Sequence, residues 1–289
     1  MHRRTSLIAI VTAAALALTA CGGSQPKTTP KAAEPKVARI VSLSPTATEM
    51  LYAIGAGKQV VAVDDQSDYP AGVPKTDLSG LKPNAEAIAS RNPDLVVVSD
   101  DTDKIVEQLK QLKIDVYVAP AAKTLDDTYA QLTELGRQTG HASEAAKTVT
   151  GMKNDVATIA KSLPQRSKKL TYYWELDPTY YSATSRTFMG SVLGLAGLTS
   201  IADSAGDDYP QLSAEAIVKA NPDLIFLADT KCCQQSTATV QARPGWAEIA
   251  AVKNGRVYGL DDSVASRWGP RTVDLLRDVA DAVAKVPAA

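Results

Sequence analysis

From Val37 onward the chain alternates short apolar runs with longer stretches whose apolar residues recur at helical spacing. Arg39-Ile40-Val41-Ser42-Leu43, Val60-Val61-Ala62-Val63, Leu95-Val96-Val97-Val98 and Val116-Tyr117-Val118 read as strands. Their apolar character is too continuous for a sheet with one wet face, and fits parallel strands covered on both sides. Pro45 and the Thr46…Glu49 spacing open a helix that stops near Gly55, and further helices are predicted near 103–112 and 125–139. In the second half, Leu170-Thr171-Tyr172-Tyr173-Trp174, Leu224-Ile225-Phe226-Leu227 and Arg256-Val257-Tyr258 predict strands, with helices near 188–196 and 271–285. Such alternation predicts doubly wound α/β sheets.

The second half also repeats the first. Ala85-Glu86-Ala87-Ile88, Asn92-Pro93-Asp94-Leu95 and Asp100 recur as Ala214-Glu215-Ala216-Ile217, Asn221-Pro222-Asp223-Leu224 and Asp229, always 129 positions later. In each copy a short helix carrying the Glu ends at Asn-Pro, because a proline disfavours helix in the residue before it. An Asp then precedes a buried strand. Between the copies Ala142 to Ser162 is a helical pattern broken only by Gly151, long enough at about 1.5 Å per residue to run from one lobe to the other. The expected architecture is two doubly wound α/β lobes, 37–140 and 166–289, joined by a spine helix within 141–165. The cleft between them is the default place for a ligand.

The N-terminus reads as an address. His2-Arg3-Arg4 precedes an apolar run from Leu7 to Leu18, too short to span a bilayer, and Leu18-Thr19-Ala20-Cys21 follows. This site resembles a bacterial lipobox, so residues 1–21 are expected to be a lipoprotein signal peptide and Cys21 the acylated anchor. Residues 22–36, rich in Gly, Pro, Lys and Thr, are expected to be a flexible tether. The expected location is extracytoplasmic, on the outer face of the cell membrane, held there by the lipid on Cys21.

Composition narrows the function. The 289 residues include 31 basic and 32 acidic ones, and this balance offers no cationic excess for nucleic acid. Of two His, only His141 lies outside the N-terminus, which disfavours a zinc or manganese site built on imidazoles. Gly55-Ala56-Gly57-Lys58 lacks P-loop spacing, and neither GxSxG nor GxGxxG occurs. No catalytic residue, cofactor or metal site is therefore expected, and the protein is read as a non-enzyme. Cys232-Cys233 is a candidate vicinal disulfide stapling the loop after the 224–227 strand.

With the lobe pair and spine, the Ser67-Asp68-Tyr69-Pro70 turn, the Asn84-Ala85-Glu86 and Ser213-Ala214-Glu215 helices and the closing Ser266-Arg267…Pro270-Arg271 resemble the substrate-binding proteins of iron-siderophore and cobalamin ABC importers, most closely the cobalamin binders. The resemblance implies a class III periplasmic-binding-protein-like fold. It implies ligand contacts at Tyr69, Tyr180, Tyr209 and Arg267, and docking of Glu86 and Glu215 onto Arg residues of a two-fold permease with its ATPase. It departs at Gly80-Leu81 and at Tyr209, where cobalamin binders tend to offer Trp.

Read from the residues, Tyr180 and Tyr181 follow the turn signal Asp177-Pro178, and Trp268 neighbours Arg267; all three are further ligand candidates. Arg243 and Arg271 are weighed as partners of anionic groups, Arg271 with Asp274 or Asp278 as its structural alternative. The leading expectation is a monomeric, lipid-anchored receptor that captures a bulky metal chelate, a cobalamin-type corrinoid first and a ferric siderophore or haem next. The competing expectations are an extracytoplasmic hydrolase using Asp261-Asp262, and a ligand sensor on the same scaffold.

Overall fold

The computed structural model describes residues 37–287; the signal peptide expected at 1–21 with its Cys21 and the tether expected at 22–36 lie outside the described residues. In the first lobe the order is β1 (Ile40–Leu43), α1 (Pro45–Ala53), β2 (Val60–Val63), α2 (Ala85–Ala89), β3 (Leu95–Val98), α3 (Ile105–Gln111), β4 (Asp115–Val118) and α4 (Leu125–Thr139). Helix α5 (Ala142–Ser162) leads to the second lobe. There β5 (Leu170–Glu175), α6 (Phe188–Leu195), β6 (Leu198–Ser200), α7 (Ala214–Ala220), β7 (Leu224–Leu227), α8 (Thr237–Gln241), α9 (Ala250–Lys253), β8 (Val257–Gly259), α10 (Asp262–Ser266) and α11 (Thr272–Ala284) follow.

Both sheets are parallel, and both have the same order, β2-β1-β3-β4 and β6-β5-β7-β8. The repeat is thus a repeat of topology. In each sheet the chain winds first to one side of the founding strand and then to the other, so a switch point falls between β1 and β3 and between β5 and β7. Crevices at such points open at the carboxyl ends of the strands.

Successive side chains of a strand point to opposite faces, and the packing follows that period. Ile40, Val97, Tyr172, Trp174, Leu224 and Phe226 join one central core with buried residues of α1, α4, α6 and α11. Met152 and Ile159 of α5 belong to the same core, which is therefore continuous through both lobes. The opposite faces form two separate clusters. One holds Val41, Leu43, Val96 and Val98 under Ile88, Ile105 and Leu109; the other holds Tyr173, Ile225 and Leu227 under Ile217, Val240 and Trp246.

Helix termini follow local chemistry. Ser44, rather than Thr46, caps α1 by accepting from the Ala47 N–H, and Glu49 is buried instead of reaching back to the cap. Helix α4 has a full capping box, Thr124 with Asp127, and ends on Gly140 in the left-handed region. The three-residue strand β6 and the short helices α8, α9 and α10 carry too little periodic pattern to be foreseen.

Candidate functional site at the carboxyl ends of the two sheets

The turn after β2 is held from below. Thr48 of α1 lies 2.9 Å from both the Ser42 and Ser67 hydroxyls, and Ser67 donates to Asp64 Oδ1 at 2.5 Å. All four residues are buried. Burial pushes the Asp64 carboxyl above its ordinary value, against the Ser67 hydrogen bond. This network fixes the turn that presents Tyr69, whose side of the lobe stays open: the residue is 44% exposed. Gly80 sits against the end of β1 and Asp64, and a Cβ there would meet the Leu43 carbonyl oxygen at 2.4 Å. A large side chain is therefore sterically excluded at Gly80, and Leu81 projects instead, 79% exposed.

In the second lobe, two segments after the carboxyl ends of β5 and β6 offer further aromatics. Tyr181, after β5, bridges to Gln211 and is 42% exposed. Tyr209, at 55% exposure, rides on a loop that Arg186 gathers by donating to Asp208 Oδ1 and to the carbonyls of Gly206 and Asp207, at 2.9 to 3.0 Å. Burial pushes the Tyr209 phenol above its ordinary value.

The remaining ligand candidates are committed to the framework. Arg267 donates to Glu49 Oε1 at 2.8 Å, Asp68 Oδ1 at 2.7 Å and the Gln66 carbonyl at 3.0 Å. It ties the segment after α10 to the first lobe. Burial opposes the charge on Asp68, but the hydrogen bond and charge of Arg267 prevail and hold its carboxyl below the ordinary value. Arg271 pairs with Glu49 rather than with Asp274 or Asp278, through Nε at 2.9 Å and a second short contact, and stacks 4.1 Å from the Tyr69 ring centroid. Trp268 donates to Gln131 Oε1 at 3.1 Å, and Thr128 donates to its carbonyl at 2.9 Å, so its ring is seated on α4. Tyr180, at φ +71°, stacks on Trp246 with centroids 5.6 Å apart.

Arg243 reaches Glu175 through two 2.6 Å bonds, the fork geometry expected of a buried ion pair, and also donates to Gln235 Oε1 at 2.8 Å. Asp229 lies beside them at the β5/β7 switch point, fully buried, with neither oxygen hydrogen-bonded. Its repeat partner Asp100 has a different fate, accepting from the Thr102 N–H at 2.8 Å near the surface. Glu49 thus organises one charge cluster of the site, and Glu175 with Asp229 the other. Of these, Asp229 is marked in the sequence as the last residue of the repeat and Glu49 only by its capping-box spacing, while Glu175 carries no signal.

Glu86 and Glu215 occupy equivalent places in the first turns of α2 and α7. Both are exposed, above buried Ile88 and Ile217. Cys232 and Cys233, the candidate vicinal pair, stand as free thiols in this structure. Adjacent Cα atoms stand only about 3.8 Å apart, closer than disulfides prefer, and this turn is fixed otherwise. Asp262 accepts from the backbone N–H groups of Lys231 at 3.0 Å and Cys232 at 2.8 Å. Desolvation and its neighbour Cys233 push the Cys232 thiol up to about 12, which leaves little reactive thiolate. The acids of the hydrolase reading are equally engaged. Asp261 pairs with Lys231 at 2.5 Å and caps α10, and both Asp261 and Asp262 are held below their ordinary values against their burial. Neither carries a proton to donate near neutral pH. His141 bonds the Thr139 carbonyl at 3.0 Å and joins α4 to α5. Among the described residues no group of three or more His, Cys, Asp or Glu is placed to hold a metal ion, and no helix is long and apolar enough to cross a membrane.

Residues 40–264 match the model of the periplasmic binding protein family. The chain belongs to that family. This periplasmic binding protein is 33% identical over 260 residues to an uncharacterized ABC transporter substrate-binding lipoprotein of Bacillus subtilis, covering 86% of this chain and 80% of the relative. It is 30% identical over 254 residues to a cobalamin-binding protein of Halobacterium salinarum, covering 84% of this chain and 69% of the relative. Among solved structures, a possible iron-binding periplasmic solute-binding protein of Staphylococcus epidermidis superposes with a TM-score of 0.74 at 30% identity, over 86% of this chain and all of that one. The two parallel-sheet lobes are those expected from the repeat, and their class III periplasmic-binding-protein-like fold is the one the family resemblance implies.

Proposed function

We propose that this binding protein is the receptor of an ABC importer for a bulky metal chelate, a cobalamin-type corrinoid before a ferric siderophore or haem. The observation that carries the reading is the trio of exposed rings, Tyr69, Tyr181 and Tyr209, on loops leaving the carboxyl ends of the two duplicated sheets. Aromatic bodies with polar tips suit a large ligand with apolar faces and a polar fringe. The likeness to a cobalamin-binding relative supports the corrinoid; the iron-binding one supports a ferric chelate as second choice. Capture is non-covalent, without turnover. Cys21 anchors the protein through its lipid, in keeping with the lipoprotein relative, and it acts as a monomer.

Glu86 and Glu215 dock the loaded protein onto Arg residues of a two-fold permease with its ATPase. A pseudo-symmetric pair of carboxylates matches a symmetric partner and steers the encounter.

The test is a titration of purified residues 22–289 with cyanocobalamin, a ferric hydroxamate siderophore and haemin, followed by quenching of the three Trp. Saturable quenching by cyanocobalamin at micromolar or lower concentration is expected. Absence of any saturable response to all three overturns the reading, and a response to an iron complex alone replaces the corrinoid with it. A Glu86→Ala/Glu215→Ala double variant should bind as the parent does and fail in uptake; loss of neither overturns docking, and uptake-independent signalling favours a sensor.

A further inference from the structure

Charge is sorted along the strands of both sheets. Most strands lead into an aspartate at the carboxyl end: Asp64 after β2, Asp100 after β3, Asp177 after β5, Asp229 after β7 and Asp261 after β8. The amino ends are basic. Arg39, Lys58 and Lys113 precede β1, β2 and β4, Lys168 and Lys169 precede β5, and Arg256 precedes β8. Helices between parallel strands run back from the carboxyl to the amino edge, so their N-termini favour acids at one edge and their C-termini favour bases at the other. A net charge of −1 therefore conceals two opposed faces.

Contacts gather each basic edge. In the first lobe Gln59 donates to the carbonyls of Val37 at 2.6 Å and Thr139 at 3.1 Å, and Arg39 to those of Arg91 and Asn92 at 2.6 and 2.8 Å. In the second, Arg166 donates to the carbonyls of Val283 and Pro287 at 3.0 and 2.8 Å, which holds the end of α11 beside the start of β5. A cavity of about 250 Å³ there is walled by Arg166, Lys168 and Lys169 with the end of α5. Helix α5 starts after Gly140 at the first edge and ends at the second, so the two edges share one base. Lys58, Lys113, Lys161, Lys168 and Lys169 are all exposed, and among the described residues the only lysine–acid pairs are those of Lys231 and Lys253. Of the acids preceding strands, Asp94 and Asp223 accept from backbone N–H groups.

We infer that this basic face is a docking surface for the anionic headgroups of the membrane that holds Cys21; the inference rests on the lipid anchor proposed above. Two observations select that partner. The chain leaves the fold at this edge, through Val37 before β1, and residues 22–36 reach at most about 50 Å even fully extended. That segment is no complement to the base, since it carries Lys27, Lys31 and Lys36 against Glu34. Each Lys or Arg near a leaflet of anionic lipid is attracted to it, and the aspartates of the other edge are repelled. The anchored receptor thus rests on its base, with the loops of Tyr69, Tyr181 and Tyr209 turned away from the lipid and open to arriving ligand. Glu86 and Glu215 begin their helices toward that same far edge, so docking onto the permease requires the protein to lift from the resting orientation.

The test sediments residues 22–289, which contain the whole described fold and lack Cys21, with vesicles of phosphatidylcholine alone or mixed equally with phosphatidylglycerol. At least about fivefold more protein is expected on the anionic vesicles at low salt, and the difference should vanish in molar salt, where the screening length falls to about 3 Å. Lys168→Glu/Lys169→Glu should remove most of that binding. Lys104→Glu/Lys123→Glu, the same change of charge on exposed lysines of the carboxyl edge, should retain it. Should the first pair fold poorly, Lys58→Glu/Lys161→Glu should act as it does. Equal sedimentation with both vesicles, or equal loss in base and carboxyl-edge variants, overturns the basic face. A soluble poly(glycerol phosphate) that strips the protein from vesicles at equal phosphate assigns the face to a cell-wall polymer and overturns the membrane as its partner. The acyl mass on Cys21 of full-length protein extracted from host membranes tests the anchor separately: its absence overturns the resting orientation and leaves the lipid affinity of the base to the vesicle result.

Discussion

Replacing Asp229 by Asn should make the protein more stable, and only above acidic pH. Burial, and then the nearby Glu175 charge, push the Asp229 carboxyl up to about 7, while Arg243, already paired with Glu175, restores little. An acid whose folded-state value is raised above its unfolded value binds its proton more tightly in the native state. Stability is therefore undiminished below about pH 4, declines as pH rises toward 7, and stays reduced above it. At about 1.4 kcal/mol for each tenfold change in proton affinity, the ionised carboxylate costs up to ~4 kcal/mol at pH 8. Asn removes that cost but leaves its own amide to be satisfied, so a net gain of about 2 kcal/mol is expected. In a chain of this size that raises the melting temperature by roughly 5 °C. The assay is thermal unfolding followed by circular dichroism for parent and Asp229→Asn at each pH from 4 to 9, since the difference between the two isolates this one group. A variant no more stable than the parent at pH 8, or one whose advantage does not shrink toward pH 4, refutes the reasoning.

Glu49→Gln should destabilise the protein by about 3 kcal/mol, because it strands Arg267 and Arg271 beside a neutral partner in a buried site; chemical denaturation measures it. Gly80→Ala should cost about 1–3 kcal/mol, since the added methyl meets the Leu43 carbonyl rather than a yielding side chain, read as a lower denaturation midpoint. Tyr69→Ala should weaken cyanocobalamin binding about tenfold, roughly 1.4 kcal/mol. Trp268→Phe, by contrast, should leave that affinity unchanged and cost about 1 kcal/mol of stability through its bond to Gln131, separable by running the titration and the melt on the same samples.

The chain's own pattern was enough for the architecture. Apolar runs covered on both faces specify parallel strands wherever they fall, and strands such as Leu95–Val98, Leu224–Leu227 and helices such as Leu125–Thr139 follow from local periodicity alone. The repeated Glu86 and Glu215 are legible for the same reason, because a cap, a short helix and an Asn-Pro stop are all contiguous. What the fold alone decided is which polar side chains are free. Arg267 and Trp268 look like cleft residues from their neighbours, but Glu49, more than 200 positions away, and Gln131, 137 positions away, claim them. Asp100 and Asp229 are the same letter in the same repeat, and one ends at the surface with a partner while the other is buried without one. Charge pairing acts through space in a low-dielectric interior, between residues that no window of sequence brings together. Secondary structure is therefore written locally, and the identity of the available site residues is settled only once the lobes have packed.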